Sequence, residues 1–272
     1  MQLIFPIRHG IVQDWEVLEK VWQRLFLNPK LELDVEELFD HPLLNRFPIL
    51  ITEAPWTSKL DRERMVGVLF DKFDAIAVCV TQIPTLTLVA HGKKTGCLVD
   101  IGETTTSACC IYEGYLMPHT VDRNNYGGKD ITELLLKFLY PERDIEFFGE
   151  EWRQLQNAEE ILHKMGFVLT NGMTELKLCQ PKNYECKLTG RVYSIKTERC
   201  RCLEALFKPQ IEEEVGGALK TTASLQELTC HAINCSNHPI RPELFMNIVL
   251  AGGVSRVTNL AQRLRQELRD MP

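Results

Sequence analysis

The 272-residue sequence predicts an α/β fold, and three observations carry that prediction. Two apolar strand-type runs, Phe47–Thr52 (FPILIT) and Ala75–Val80 (AIAVCV), alternate with helix-type periodicity, the order of a parallel βαβ unit. Gly96–Ile111 (GCLVDIGETTTSACCI) reads as a strand, a tight turn with Asp100, Gly102 and Glu103, and a second strand rich in β-branched residues. A late run, Phe245–Leu250, reads as a strand closed by a Gly252-Gly253 turn before an amphipathic helix at Asn259–Arg269.

In chain order, Gln2–Val12 is extended, and Asp14 caps a helix whose apolar positions Val17, Leu18, Val21, Trp22, Leu25 and Phe26 recur at three and four, a face expected to lack part of its cover. Asn28-Pro29 stops that helix, and the charged Lys30–Arg46 segment reads as an exposed loop with a short helical turn. Ser58 or Asp61 starts a second helix with Met65, Val68, Leu69 and Phe73 inward. Pro84 suits the first turn of a third helix, and Gly92 its C-terminal cap. Tyr112-Glu113-Gly114 turns into a strand ending at His119, and Tyr126-Gly127-Gly128 is a hinge-like turn. Asp130 caps a helix with Leu134, Leu135, Phe138 and Leu139, an acidic and aromatic linker fills Tyr140–Trp152, and Asn157–Val168 is helical. Met173–Ile195 alternates like a two- or three-strand meander, Cys200-x-Cys202 alternates on an extended segment, and Thr222–Cys235 is a helix.

Composition narrows the function classes. The chain is 44% hydrophobic and 25% charged, the balance of a globular protein with a sizeable core. A net charge of −6 without a basic block argues against nucleic acid as a direct partner. No run of about 18 apolar residues predicts a membrane span. The N-terminal stretch has no basic n-region or small-residue cleavage site, so a cytoplasmic or cytoskeletal location is expected, with the nucleus as the alternative. The ten cysteines are then expected to be reduced, and Cys79, Cys97 and Cys109 sit in apolar strand patterns as small hydrophobes. Cys230, His231, Cys235 and His238 lack the spacing of a zinc site and read as a helix with incidental thiols.

Five stretches, in the same order, resemble the actin and actin-related family. Pro6–Val12 (PIRHGIV) is similar to YPIEHGIV, and Ile51–Pro55 (ITEAP) to LLTEAP. Ile111–Tyr115 with Pro118-His119 is similar to IYEGYALPH, Glu198–Phe207 (ERCRCLEALF) to NERFRCPEALF, and Leu250–Val254 (LAGGV) to LSGGT. The resemblance implies an actin-like two-lobed α/β fold of the RNase H-like, heat-shock-ATPase type, with adenine nucleotide (ATP or ADP with Mg²⁺) as the family's cofactor. It implies a partial first lobe at residues 1–95, a second-lobe core at 96–127 and 219–272, and an insertion at 128–218. The first lobe is expected to be incomplete, because the family's first phosphate loop and last helices have no counterpart among these residues.

The resemblance also implies site roles. Asp100 matches the acid that holds the Mg²⁺ water shell, Gly102 and Glu103 match the rest of the DSGDG turn, and Gly128 joins the same set. Gly252 and Gly253 match the pair under the adenosine. Ile101 and Thr104 replace a Ser and a Gly of that turn, and Val254 replaces a Thr. Arg256 and Val257 stand where the family places Met and an aromatic near the adenine, and Leu162-His163 where it places a Lys-Glu pair. The Gln that positions the attacking water falls on Ile83, with Gln82 beside it, and a His of the following strand falls on Ser107. No catalytic residue is therefore expected. His9 matches a methylated His of the family and reads first as a loop residue satisfied by backbone.

The function these readings favour is a non-catalytic structural or assembly subunit of a cytoskeletal or chromatin complex. Its partners would be actin, actin-related proteins or other subunits, with neither nucleic acid nor membrane contacted directly. The acidic Glu32–Asp40 loop is a solvated surface or a docking loop, and Glu212-Glu213-Glu214 a solvated face. A nucleotide-binding protein with weak ATPase activity is the alternative.

Overall fold

The computed structural model describes residues 4–26, 48–139, 151–170, 173–177, 179–186, 190, 192–211 and 223–271. The Glu32–Asp40 and Glu212–Glu214 stretches, Phe47 and residues 140–150 lie outside them. The chain divides into two compact units, Met1–Lys94 with Ile111–Pro118, and Thr95–Cys110 with His119–Pro272. No helix among the described residues is long and apolar enough to cross a membrane.

The first unit opens on a small antiparallel hairpin, β1 (Ile7–Arg8) and β2 (Ile11–Val12), turning at His9-Gly10 with positive φ at both residues. Trp56 Nε1 donates to the His9 carbonyl at 3.0 Å, and its ring packs tightly on Gly10, 3.0 Å from where a Cβ would stand. Helix α1 (Trp15–Phe26) starts where Asp14 Oδ1 accepts the Val17 N–H at 3.0 Å, satisfying one orphan donor of the first turn. Strands β3 (Ile49–Glu53) and β4 (Val78–Gln82) pair in parallel, with Ile49 opposite Val78 and Glu53 opposite Gln82. The crossover that parallel pairing requires is α2 (Lys59–Asp71), capped by Ser58, which accepts from the Asp61 N–H. Pro84 lies in the first turn of α3 (Ile83–Ala90), and Gly92 follows it at φ +69, as its cap position requires.

The core of this unit is Leu69 and Ala75 with Trp22, Phe26, Ile49, Ile51, Phe73 and Val78 packed around them. Phe73 meets Trp22 and Phe26 edge-on, with centroids 6.5 and 5.4 Å apart. Glu53, buried at the end of β3, takes a forked pair of hydrogen bonds from Arg62 at 2.8 and 2.5 Å. The apolar faces of this unit are covered only in part. Val21 and Leu25 of α1 are 48% and 49% exposed, and Leu50 of β3 is 59% exposed. The pair β3–β4 is therefore not buried on both faces as its apolar runs imply, and Cys79 is exposed rather than a core thiol. Strand β4 begins three residues later than the run AIAVCV suggests, because Ala75 belongs to the helix-packing core and Ile76 to the surface.

In the second unit β5 (Gly96–Ile101) is central, with β11 (Ile248–Ala251) parallel on one side and β6 (Thr106–Tyr112) on the other. Strand β6 belongs to this unit as far as Cys110; beyond it, in the first unit, Ile111 and Tyr112 pair with β7 (Tyr115–Leu116). A further strand, β8 (Asp122–Asn124), pairs antiparallel with β6, and its fully polar sequence hides it from hydropathy patterning. Helix α4 (Gly128–Leu139) begins two residues before Asp130, whose Oδ2 accepts the Gly127 N–H at 2.9 Å. Helix α5 (Glu151–Met165) starts within the expected linker. The expected meander is a short helix, α6 (Met173–Lys177), and one hairpin of β9 (Lys182–Glu185) and β10 (Val192–Ile195).

Cys200 and Cys202 lie on helix α7 (Glu198–Glu204), not on an extended segment. That helix buries residues on most of its circumference, Arg199 and Glu204 included, so it shows no amphipathic period. Helix α8 (Leu225–Asn234) starts in a complete capping box: Ser224 accepts from the Glu227 N–H while Glu227 accepts from the Ser224 N–H. Ser224→Ala is expected to cost about 1 kcal/mol in a urea unfolding titration of the full chain. Phe245 and Met246 close helix α9 (Arg241–Met246) rather than opening β11. Helix α10 (Leu260–Asp270) follows Asn259, which sits in the left-handed region at φ 70.

Candidate functional site

Asp100, Gly102, Glu103, Gly128, Gly252 and Gly253 lie within the second unit and gather around the ends of β5 and β11. Parallel pairing puts Ala251 opposite Asp100, so the Gly252-Gly253 turn leaves β11 beside the Asp100–Glu103 turn that leaves β5. The approach is close. A Cβ on Gly252, which has φ 85 and ψ 166, would lie 2.2 Å from the Ile101 carbonyl oxygen and 2.6 Å from Asp100 Oδ1. Gly253 has open space where its side chain would stand.

The third side of the site is the start of α4. Gly128 donates its N–H to the Gly102 carbonyl at 2.9 Å, and Lys129 donates to the Glu103 carbonyl at 2.8 Å. Thr106 Oγ1 donates to the Tyr126 carbonyl at 2.8 Å and holds the preceding turn on β6. Within the β5–β6 turn, the Gly102 N–H donates to the Thr105 carbonyl at 2.9 Å. Asp100, Gly102, Glu103, Gly128 and Gly252 are thus one cluster, with Gly253 on its open edge and Glu103 exposed.

Gly127 belongs to this cluster as well. Its Cβ would lie 2.6 Å from the Glu103 carbonyl oxygen, a tighter requirement than at Gly128, where the nearest atom is Val254 Cγ2 at 3.0 Å. The glycine pair itself was the available signal, and the missing information was which member faces backbone.

Burial raises the Asp100 carboxyl above its usual range. Among the described residues no cation or side-chain donor is bound to it. The chemistry suits the water shell of a divalent cation, since a partly desolvated acid without a protein partner gains from a positive charge. The backbone fits a phosphate less well: the N–H groups of Gly102, Gly128 and Lys129 are already spent on carbonyls. Ile101 is buried and brings no hydroxyl to the turn.

The positions aligned with water-positioning groups are also located. Ser107 is buried on β6, opposite Arg123 of β8, and Ile83 begins α3 in the first unit, with Gln82 as the residue before the helix. Leu162 is buried on α5 with the neighbouring His163 exposed, so they cannot act as an equivalent pair on one face. Arg256 is exposed at the end of a short 3-10 turn, Gly253–Arg256.

The known protein families provide an independent comparison. The family model described as Actin matches residues 1–272, the whole chain. The mixed α/β content, the parallel β3–β4 and β5–β11 pairs and the glycine turn after β11 accord with that match, and the chain belongs to the actin family.

Proposed function

We propose that this actin-family chain works as a non-catalytic structural or assembly subunit, binding other proteins through the surfaces of its units. The observation that carries the reading is chemical. At the two positions aligned with water-positioning side chains, Ile83 has neither donor nor acceptor, and the Ser107 hydroxyl is buried on a strand. Phosphoryl transfer rests on positioning and charge stabilisation, so the loss of both groups removes the means of orienting an attacking water. The exposed apolar side chains of the first unit, Val21, Leu25, Leu50 and Ile76 among them, are consistent with a chain that functions within an assembly.

Mg-ATP offered to the full chain is expected to bind no more tightly than about 1 mM, near −4 kcal/mol, with no phosphate release above buffer. Micromolar binding in equilibrium dialysis, or turnover that disappears in an Asp100→Asn variant, would overturn the reading. Light scattering tests the assembly role, and a stable monomer that recruits neither actin nor an actin-related protein counts against it.

A second reading, weak nucleotide binding, is favoured by the convergence of Asp100, Gly102, Gly128 and Gly252 on one end of the sheet. In that reading Asp100 would face the cation's water shell, and Gly252 and Gly253 the nucleoside. A cytoplasmic or cytoskeletal location, with the nucleus as the alternative, forms part of the proposal.

A further inference from the structure

Away from the glycine turns, three side chains of the second unit stand in line on its surface. Asp122 Oδ2 on β8 lies 2.7 Å from His231 Nδ1 on α8. The other ring nitrogen, His231 Nε2, lies 3.7 Å from the sulfur of Cys235, the residue that caps α8. The alignment has local causes. His231 and Cys235 are four apart on one helix and share a face. Asn124 Nδ2 donates to the Ala223 carbonyl at 2.6 Å, tying the end of β8 to the residue before the α8 cap.

The order acid, imidazole, thiol has a chemical consequence. With Nδ1–H donating to Asp122, the neutral imidazole presents Nε2 as an unprotonated acceptor toward the thiol. A nucleophile, a base within reach and a group that orients the base are the parts of an activated cysteine. The His231 side chain is 66% exposed and Cys235 is exposed, so the thiol is accessible. Such an open surface suits modification of the thiol more than turnover of a bound substrate.

The other cysteines provide the contrast. Cys79 is exposed on β4 of the first unit. Cys230, on the same helix, is buried, and burial pushes its thiol up. Cys97, Cys109, Cys110, Cys186, Cys200 and Cys202 are buried, and Cys179 is half-buried, its sulfur held against the Lys196 carbonyl and Arg199 Nη2. Exposure alone therefore does not separate Cys235 from Cys79, whereas the histidine does.

We propose that Cys235 is a nucleophilic modification site, activated by the Asp122–His231 pair and oxidised by hydroperoxides to the sulfenic acid. The thiol proton passes to His231 Nε2, and the sulfur attacks the distal peroxide oxygen. An S–O bond forms as the O–O bond breaks, the sulfur is oxidised by two electrons, and the leaving alkoxide takes the proton from the imidazolium. Thiol and hydroperoxide become sulfenic acid and alcohol, or water when the oxidant is hydrogen peroxide.

The test uses the reduced full chain at pH 7 with hydrogen peroxide and dimedone, the adducts being mapped and timed by peptide mass spectrometry. Cys235 is expected to label about tenfold faster than Cys79, a modest share of what a positioned general base supplies. His231→Gln is expected to bring the two rates within about twofold, and Asp122→Asn to lower the Cys235 rate in part. The Cys79 rate, unchanged in both variants, reports that the fold is intact. Equal rates at Cys235 and Cys79 in the parent chain, or a full Cys235 rate in either variant, would overturn the proposal.

Discussion

Gly252→Ala is expected to destabilise the full chain by about 4 kcal/mol in urea unfolding followed by circular dichroism. Two effects add. The residue sits at φ 85 and ψ 166, a region that is essentially closed to side chains and costs about 1–3 kcal/mol when one is forced into it. The new methyl would also lie 2.2 Å from the Ile101 carbonyl oxygen and 2.5 Å from its carbon. Those atoms are backbone at the end of the central strand β5, so relief means moving the strand rather than turning a rotamer.

Gly253→Ala is the internal control. It lies next in sequence, its φ is not positive, and its Cβ would meet nothing within 4 Å. A change within about 0.5 kcal/mol is expected there. Equal losses at the two glycines would show that the turn, rather than the approach of β5 and β11, sets the requirement.

The same contrast explains what could be read from the residues alone. Elements with local signals were legible: Ser58 before α2, Pro84 and Gly92 around α3, and Asp14 before α1 each act through atoms within a few residues. The parallel order of β3 and β4 was legible because the segment between them is helical. The cluster of Asp100, Gly102, Glu103, Gly128 and Gly252 was named through resemblance, but the larger steric demand at Gly127 depends on a carbonyl 24 residues earlier in the chain. Helix α7 was not legible, since its buried Arg199 and Glu204 take polar partners from other segments and erase the hydrophobic period. The apolar run Phe245–Leu250 crosses a boundary that hydropathy does not see: Asn247, at φ −121 and ψ 49, ends α9 and turns the chain into β11.

Arg263→Ala tests a buried charge network rather than a steric one, and a loss of about 3–5 kcal/mol at pH 7 is expected. Arg263 on α10 and Glu204 on α7 are both buried, with Nη1 3.3 Å from Glu204 Oε1. The same Nη1 donates to the Leu169 carbonyl at 2.5 Å, Nε donates to Glu267 at 2.6 Å, and the guanidinium lies over the Phe207 ring. The Leu169 N–H donates to Glu204 in turn, while Val168 N–H and Asn259 fix the neighbouring backbone to the start of α10. Removing the arginine therefore leaves a buried carboxylate and a buried carbonyl without their cation. Even with Arg263 present, burial outweighs that cation and holds the Glu204 carboxyl above its usual range. Without it the folded-state value rises further, and the sign of the pH dependence follows. Below the unfolded value of about 4.5 both states are protonated and the glutamate adds no penalty. As pH climbs through the raised folded value, the unfolded chain has already released its proton, so stability falls. The Arg263→Ala deficit is expected to be larger at pH 7 than at pH 5 in urea titrations. The double variant Arg263→Ala, Glu204→Gln should recover part of the loss at pH 7, because the carboxylate left without its cation is gone. A deficit independent of pH, with no recovery in the double variant, would place the role of Arg263 in packing over Phe207 instead of in charge.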